Sequence, residues 1–206
     1  MKKEITGIAI LIILYGVGLS GILLPAFRPL VLPLSAYNLL ISFLILLNSY
    51  RWKKEMLFAS FLVFLIGFFV EWVGVHTSLL FGTYWYGANL GPKFLEVPFI
   101  IGINWAMLTL VSSAVGKTLT KSMLLNVVLG ASLMTGMDWL MEPVAIKSDF
   151  WHWKNETIPV YNFICWFVVS LLTNWIFVKI AKPTLNKTAI TLFILLTLFF
   201  TIQQVV

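Results

Sequence analysis

The sequence predicts an all-α, polytopic membrane bundle of about seven helices, and three observations predict it. Hydrophobic residues make up 60% of the 206 positions and charged residues only 11%, a balance that does not fit a soluble domain. Apolar runs of about eighteen residues or more recur along the chain, each long enough to cross a bilayer. Lysines and arginines are scattered through short connections between those runs, where a membrane protein needs them.

The predicted spans, in order, are Ile5–Leu24, Leu30–Asn48, Met56–Leu80, Val97–Val115, Ser122–Met141, Pro159–Ile180 and Ala189–Thr201. With no linker or repeat between them, they form one helical domain over residues 1–206. The start, MKKEITGIAILIILYGVGLSG, has the basic flank of a signal peptide. Its apolar part is nearer to roughly twenty residues than to about ten, and it lacks an A-x-A cleavage site, so it is read as the first span. Pro33 is expected to shorten the second.

Ten basic residues (Lys2, Lys3, Arg51, Lys53, Lys54, Lys117, Lys121, Lys179, Lys182 and Lys187) fall on one side of this arrangement, and four (Arg28, Lys93, Lys147 and Lys154) on the other. The positive-inside rule then puts the N-terminus in the cytoplasm, so that the long loops Phe81–Glu96 and Glu142–Ile158 face outward. The expected location is the plasma membrane of a prokaryote. The net charge of +6 does not indicate a nucleic-acid partner, because no basic stripe gathers it. The lone Cys165 leaves no disulfide framework and no cysteine metal cluster.

Three of the eight acidic residues, Asp138, Glu142 and Asp149, fall in DWLMEPVAIKSDFWHW. A carboxyl group where hydrocarbon is expected is costly and marks a functional site by default. Asp138 and Glu142 are four apart and share a helix face. Glu71 and His76 are five apart, about 140° round an ideal helix, and share one only if the helix kinks near Gly74. Glu71, His76, Glu96, Asn104, Asp138, Glu142 and Asn162 can all converge in the outer half of the bundle. The competing structural reading makes these groups interhelical hydrogen-bond partners or helix ends, and makes Tyr84, Trp85, Tyr86, Trp151 and Trp153 an interfacial aromatic belt. Asp149, His152 and the W-x-W are read as a loop that lids the bundle. There is no H-E-x-x-H, G-x-S-x-G or Walker-type loop. The set suits proton transfer to an apolar substrate, or proton-coupled movement of one.

The blocks FGTYWYGANLGPKFLEVPFIIGINWAM and MDWLMEPVAIKSDFWHWKNETIPVYNFICWF resemble the carotenoid biosynthesis membrane proteins of the CruF type, which are carotenoid 1′,2′-hydratases. The resemblance rests on Gly82, Tyr84 and Tyr86, on Leu90-Gly91, and on Val97-Pro98 with Asn104-Trp105. It continues with Asp138 and Glu142-Pro143, with Trp151 and Trp153, and with Pro159, Asn162, Phe163 and Trp166. Glu142 departs from the pattern, which more often has Asp before that proline, but it keeps the carboxyl. The similar stretch runs from Glu71 to Trp166.

The resemblance implies addition of water to the terminal double bond of an acyclic, lycopene- or γ-carotene-like carotenoid, giving a tertiary hydroxyl without metal or organic cofactor. Such a reaction needs a carboxylic acid still protonated near neutral pH, a condition that apolar burial favours. On this reading Asp138 is the proton donor, and Glu71 or Glu142 is its alternate or the water-side base. His76 is a second candidate to deprotonate the water. Glu96, Asn104 and Asn162 support, and Trp105, Tyr84, Trp139, Trp151 and Trp153 line the pocket and stabilise a cation with their ring faces. The alternatives are a carotenoid end-group cyclase or isomerase, which would exclude water, and a proton-coupled transporter, which would use the same carboxyls as a relay.

Overall fold

In hydrocarbon every backbone polar group has to be paired within its own segment, and the apolar runs accordingly close into helices. The computed structural model describes residues 2–205. Its helices are α1 (Lys2–Leu23), α2 (Arg28–Val31), α3 (Ser35–Ser49), α4 (Lys54–Thr77), α5 (Phe99–Leu119), α6 (Met123–Lys147), α7 (Val160–Ile180) and α8 (Lys187–Val205). Seven helical stretches are long and apolar enough to cross a bilayer, and the chain is an integral membrane protein.

The second span differs from expectation. Pro33 does not shorten it, because α2, a 3-10 turn over Leu32–Leu34 and α3 follow one another directly. Proline is tolerated in the first turn of a helical segment, where its missing N–H needs no partner. The fifth span also runs further than predicted: α6 continues past Met141 and through Pro143 to Lys147. Glu142 is therefore a helical residue rather than the first of a loop. At the end of α4, Ser78 adopts a left-handed conformation (φ 55°), and its N–H bonds back to Gly74 O at 2.9 Å, which stops the helix short of the predicted Leu80.

The bundle is built round α5. Of its most apolar window 83% is buried, against 17% for α1, so α5 is the centre and α1 the periphery. Close approach depends on small residues, as membrane helix packing generally does. A Cβ on Gly67 of α4 would lie 2.4 Å from Trp105 Cγ of α5. Below Trp105, polar side chains join helices across the core. Ser113 and Ser112 of α5 donate to Asn174 Oδ1 of α7 at 2.7 and 3.3 Å, and Asn174 Nδ2 donates to Ser170 O at 2.9 Å. Hydrogen bonds of this kind hold membrane helices together.

The two long loops are not irregular. They contain β1 (Tyr84–Tyr86), β2 (Lys93–Phe94), β3 (Val97–Pro98) and β4 (Trp151–Trp153). Strands β2 and β3 form a tiny hairpin turned by Leu95 and Glu96, both at positive φ. Strands β1 and β4 pair antiparallel, with Tyr84 opposite Trp153, Trp85 opposite His152, and Tyr86 opposite Trp151. This ribbon ties the α4–α5 connection to the α6–α7 connection.

Candidate active site

Side chains alternate across a strand, so pairing β1 with β4 sorts six residues into two sets. Tyr84, Tyr86, Trp151 and Trp153 line the bundle side, while Trp85 and His152 stack on each other on the far side with ring centroids 5.9 Å apart. The inward set meets the carboxyls of α4 and α6. Tyr84 and Tyr86 donate to Glu71 Oε2 at 2.5 and 2.7 Å, and Trp105 Nε1 donates to Glu71 Oε1 at 2.9 Å. Trp151 and Trp153 donate to Glu142 Oε2 at 2.9 and 2.7 Å. Burial, and then the charge of Glu71 beside them, push both phenols well above the usual tyrosine range. They stay protonated and act as donors.

Asn162, in the first turn of α7, joins the two carboxyls of α6. Its Nδ2 donates to Asp138 Oδ2 at 2.8 Å and to Glu142 Oε1 at 3.1 Å. The α6 spacing makes this possible, since residues four apart lie one above the other on a helix. The result is asymmetric. Glu71 and Glu142 each accept three hydrogen bonds from side chains, whereas Asp138 accepts one, among the described residues. Glu71, Asp138 and Glu142 are all buried, with Asp138 1% exposed. A buried carboxyl with few donors is the one best placed to carry a proton of its own.

The three carboxyls border one cavity of about 30 Å³, room for a water molecule or two. Of the residues named from sequence, Glu71, Tyr84, Asn104, Trp105, Asp138, Glu142, Trp151, Trp153 and Asn162 line it. Phe81, Tyr86, Ile101 and Trp166 line it too, although the sequence does not single them out for the site. Tyr86 had a visible signal, since Y-x-Y and W-x-W carry the same two-residue period. Trp166 stacks on Trp105 with centroids 4.1 Å apart and planes 11° apart, and both residues line the cavity.

Three predicted members lie elsewhere. His76 is turned away from Glu71: its Nδ1 is 2.9 Å from Trp72 O and its Nε2 is 4.0 Å from Glu96 Oε2. Glu96 is at the tip of the β2–β3 turn rather than at the start of a helix, and its side chain is 75% exposed. Trp139 is 60% exposed on the outer face of α6, about 100° round the helix from Asp138. We expect His76→Ala to leave stability within about 0.5 kcal/mol of wild type, as for a surface change, measured as the melting temperature in detergent. A loss of several degrees would show that His76 is a structural partner in the bundle.

On the outer side of the ribbon, Asp149 closes the loops. His152 Nε2 is 2.7 Å from Asp149 Oδ1, and Ala88 N donates to Asp149 Oδ2 at 3.0 Å. The His152 contact, and then the Ala88 N–H, hold the Asp149 carboxyl below its usual range. Gly87 is required here, since a Cβ would lie 2.3 Å from Asp149 O. The depressed value means that the stabilisation is present at neutral pH and is lost only as pH falls through the folded-state value. Both side chains are partly exposed (32% and 47%), so Asp149→Asn is expected to cost less than about 1 kcal/mol at neutral pH. The difference from wild type in melting temperature should vanish in strong acid, and a difference that grows as pH falls would contradict the assignment. Aromatics and latch thus divide the work expected of the lid: Trp151 and Trp153 belong to the site, while Asp149 and His152 fasten it.

Compared with known proteins, the chain matches over residues 27–206 the protein family described as "Carotenoid biosynthesis protein". That stretch contains every residue lining the carboxyl cavity. No curated protein and no solved structure matches the chain.

Proposed function

The chain belongs to the carotenoid biosynthesis protein family, and from that premise we propose that it is a hydratase. In this reading it adds water across the terminal C1′=C2′ bond of an acyclic carotenoid, with Asp138 as proton donor. The observation that carries the proposal is the unequal supply of hydrogen bonds round one cavity: three each to Glu71 and Glu142, one to Asp138. Two carboxyls are furnished as anions and the third is left to hold a proton.

The steps follow from that division. Asp138 delivers its proton to C2′, the π electrons form the new C–H bond, and a tertiary cation develops at C1′. The Trp151 ring on the cavity wall and the fixed Glu71 carboxylate stabilise that charge. The Asn162 amide steadies the Asp138 carboxylate as it forms. Water attacks C1′, and Glu142, which shares the same amide, accepts the proton it releases. Return of that proton to Asp138 closes the cycle, so the net change is one water added and nothing oxidised. A water-sized, polar-lined cavity favours hydration over ring closure, which would need water kept out.

The test is expression in a lycopene-producing bacterium followed by pigment analysis. Products that have gained the mass of one or two waters are expected. Unchanged lycopene with the protein present in the membrane removes hydration of that substrate, and a ring-containing product of unchanged mass identifies a cyclase instead.

A further inference from the structure

We infer that the polyene chain of the substrate lies in an apolar groove between α1 and the α2–α3 span, and that its reactive end comes through the bundle from that side to stop at the edge of the carboxyl cavity. The inference rests on the hydratase reading for the identity of the occupant, and on cavity geometry for its place.

Three cavities form a series. The outermost, of about 340 Å³, lies between α1 and α2–α3, with Phe199 of α8 at its back. Its rim residues Ile13, Val17, Leu34 and Tyr37 are 62%, 65%, 54% and 63% exposed, so it opens sideways to the hydrocarbon. Ser35, Asn38 and Phe199 are shared with a second, smaller chamber of about 60 Å³. That chamber in turn shares Ile101, Asn104 and Trp151 with the carboxyl cavity. Among the described residues, no charged side chain lines the groove or the chamber.

Size and chemistry assign the occupants. The carboxyl cavity holds a water or two but no prenyl group. The chamber beside it is apolar and takes the terminal methyls, and the groove takes the chain behind them. Alkene and water therefore meet at the Ile101–Asn104–Trp151 boundary, which the chamber shares with the cavity that Asp138 lines. The groove runs along α1, the least buried of the spans, which is where a lipid-dissolved molecule can slip in without parting the core.

Gly18 of α1 tests this away from the carboxyls. A Cβ there would meet Phe199 Cε2 at 3.7 Å and Asn38 Nδ2 at 3.8 Å, ordinary contacts, so Gly18→Ala leaves the groove open. Gly18→Phe would fill the groove. Lycopene retained by protein purified in the Asp138→Asn background, so that binding is read without turnover, is expected to fall about tenfold or more with Gly18→Phe and to persist with Gly18→Ala. Retention at the Asp138→Asn level by the Gly18→Phe protein overturns the groove and leaves the hydration assay to stand alone.

A second measurement does not depend on a bulky insertion. In a Cys165→Ser background, Ile41→Cys on the groove wall is expected to be labelled by a membrane-permeant maleimide several-fold more slowly when lycopene is added. Leu124→Cys, 75% exposed on α6, should label at an unchanged rate. Equal labelling at position 41 with and without lycopene makes the groove a seat for ordinary acyl chains and overturns the inference. If lycopene protects position 41 but is never hydrated, the binding site stands and the hydratase reading falls.

Discussion

Asp138→Asn is expected to reduce hydration by about 10²–10⁴-fold, the usual contribution of a general acid. The substitution keeps the size of the side chain and an acceptor for Asn162 Nδ2, which now donates to Asp138 at 2.8 Å. Fold and polyene binding should therefore survive while the transferable proton is gone. The measurement is initial rate of product formation in isolated membranes at matched protein level. Turnover within threefold of wild type would remove Asp138 as donor and pass the role to Glu142 or Glu71, the two remaining carboxyls on the cavity.

Asn162→Leu is expected to damage both stability and turnover. One amide nitrogen serves two buried carboxyls, and leucine leaves both facing an apolar group. A buried acceptor deprived of its donor costs about 1–3 kcal/mol, and more when charged. The protein should melt several degrees lower in detergent, and its rate should fall by an order of magnitude beyond what lost folded protein explains, because the carboxylate left on Asp138 after proton transfer no longer meets a prepared hydrogen bond. The control is Trp139→Leu on the outer face of the same helix, expected within about 0.5 kcal/mol of wild type. A variant Asn162→Leu that melts and turns over like that control would show that the bridge is incidental.

Much of this could be read in the sequence, for identifiable reasons. Hydrocarbon imposes length and composition on a spanning helix, so all seven spans were legible, and the helical period put Asp138 and Glu142 on one face. The ribbon was not legible. Tyr84 and Trp153 pair across 69 positions of sequence (153 − 84), and no local pattern shows which loop pairs with which. Without that pairing the aromatics look like an interfacial belt, and their role as donors to Glu71 and Glu142 stays hidden. The same gap explains His76 and Glu96: nearness in sequence to Glu71 and to α5 suggested convergence, whereas helix phase and a two-residue turn carry both outward. The outer loop is expected to begin at Glu142, yet α6 absorbs Pro143 and continues to Lys147.

The polar layer beneath the site has an electrical consequence. Buried carboxyls that exchange protons are a hazard in a membrane that holds a potential, where each charge carried across at about 100 mV dissipates about 2.3 kcal/mol. Below Glu71 the stacked Trp105 and Trp166 close the cavity, and beneath them Ser112, Ser113 and Asn174 are bonded to one another among tightly packed neighbours. In the proposed cycle the proton that leaves Asp138 comes back through Glu142 within this one cavity. Chemistry of that kind moves no charge across the membrane and draws nothing from its potential.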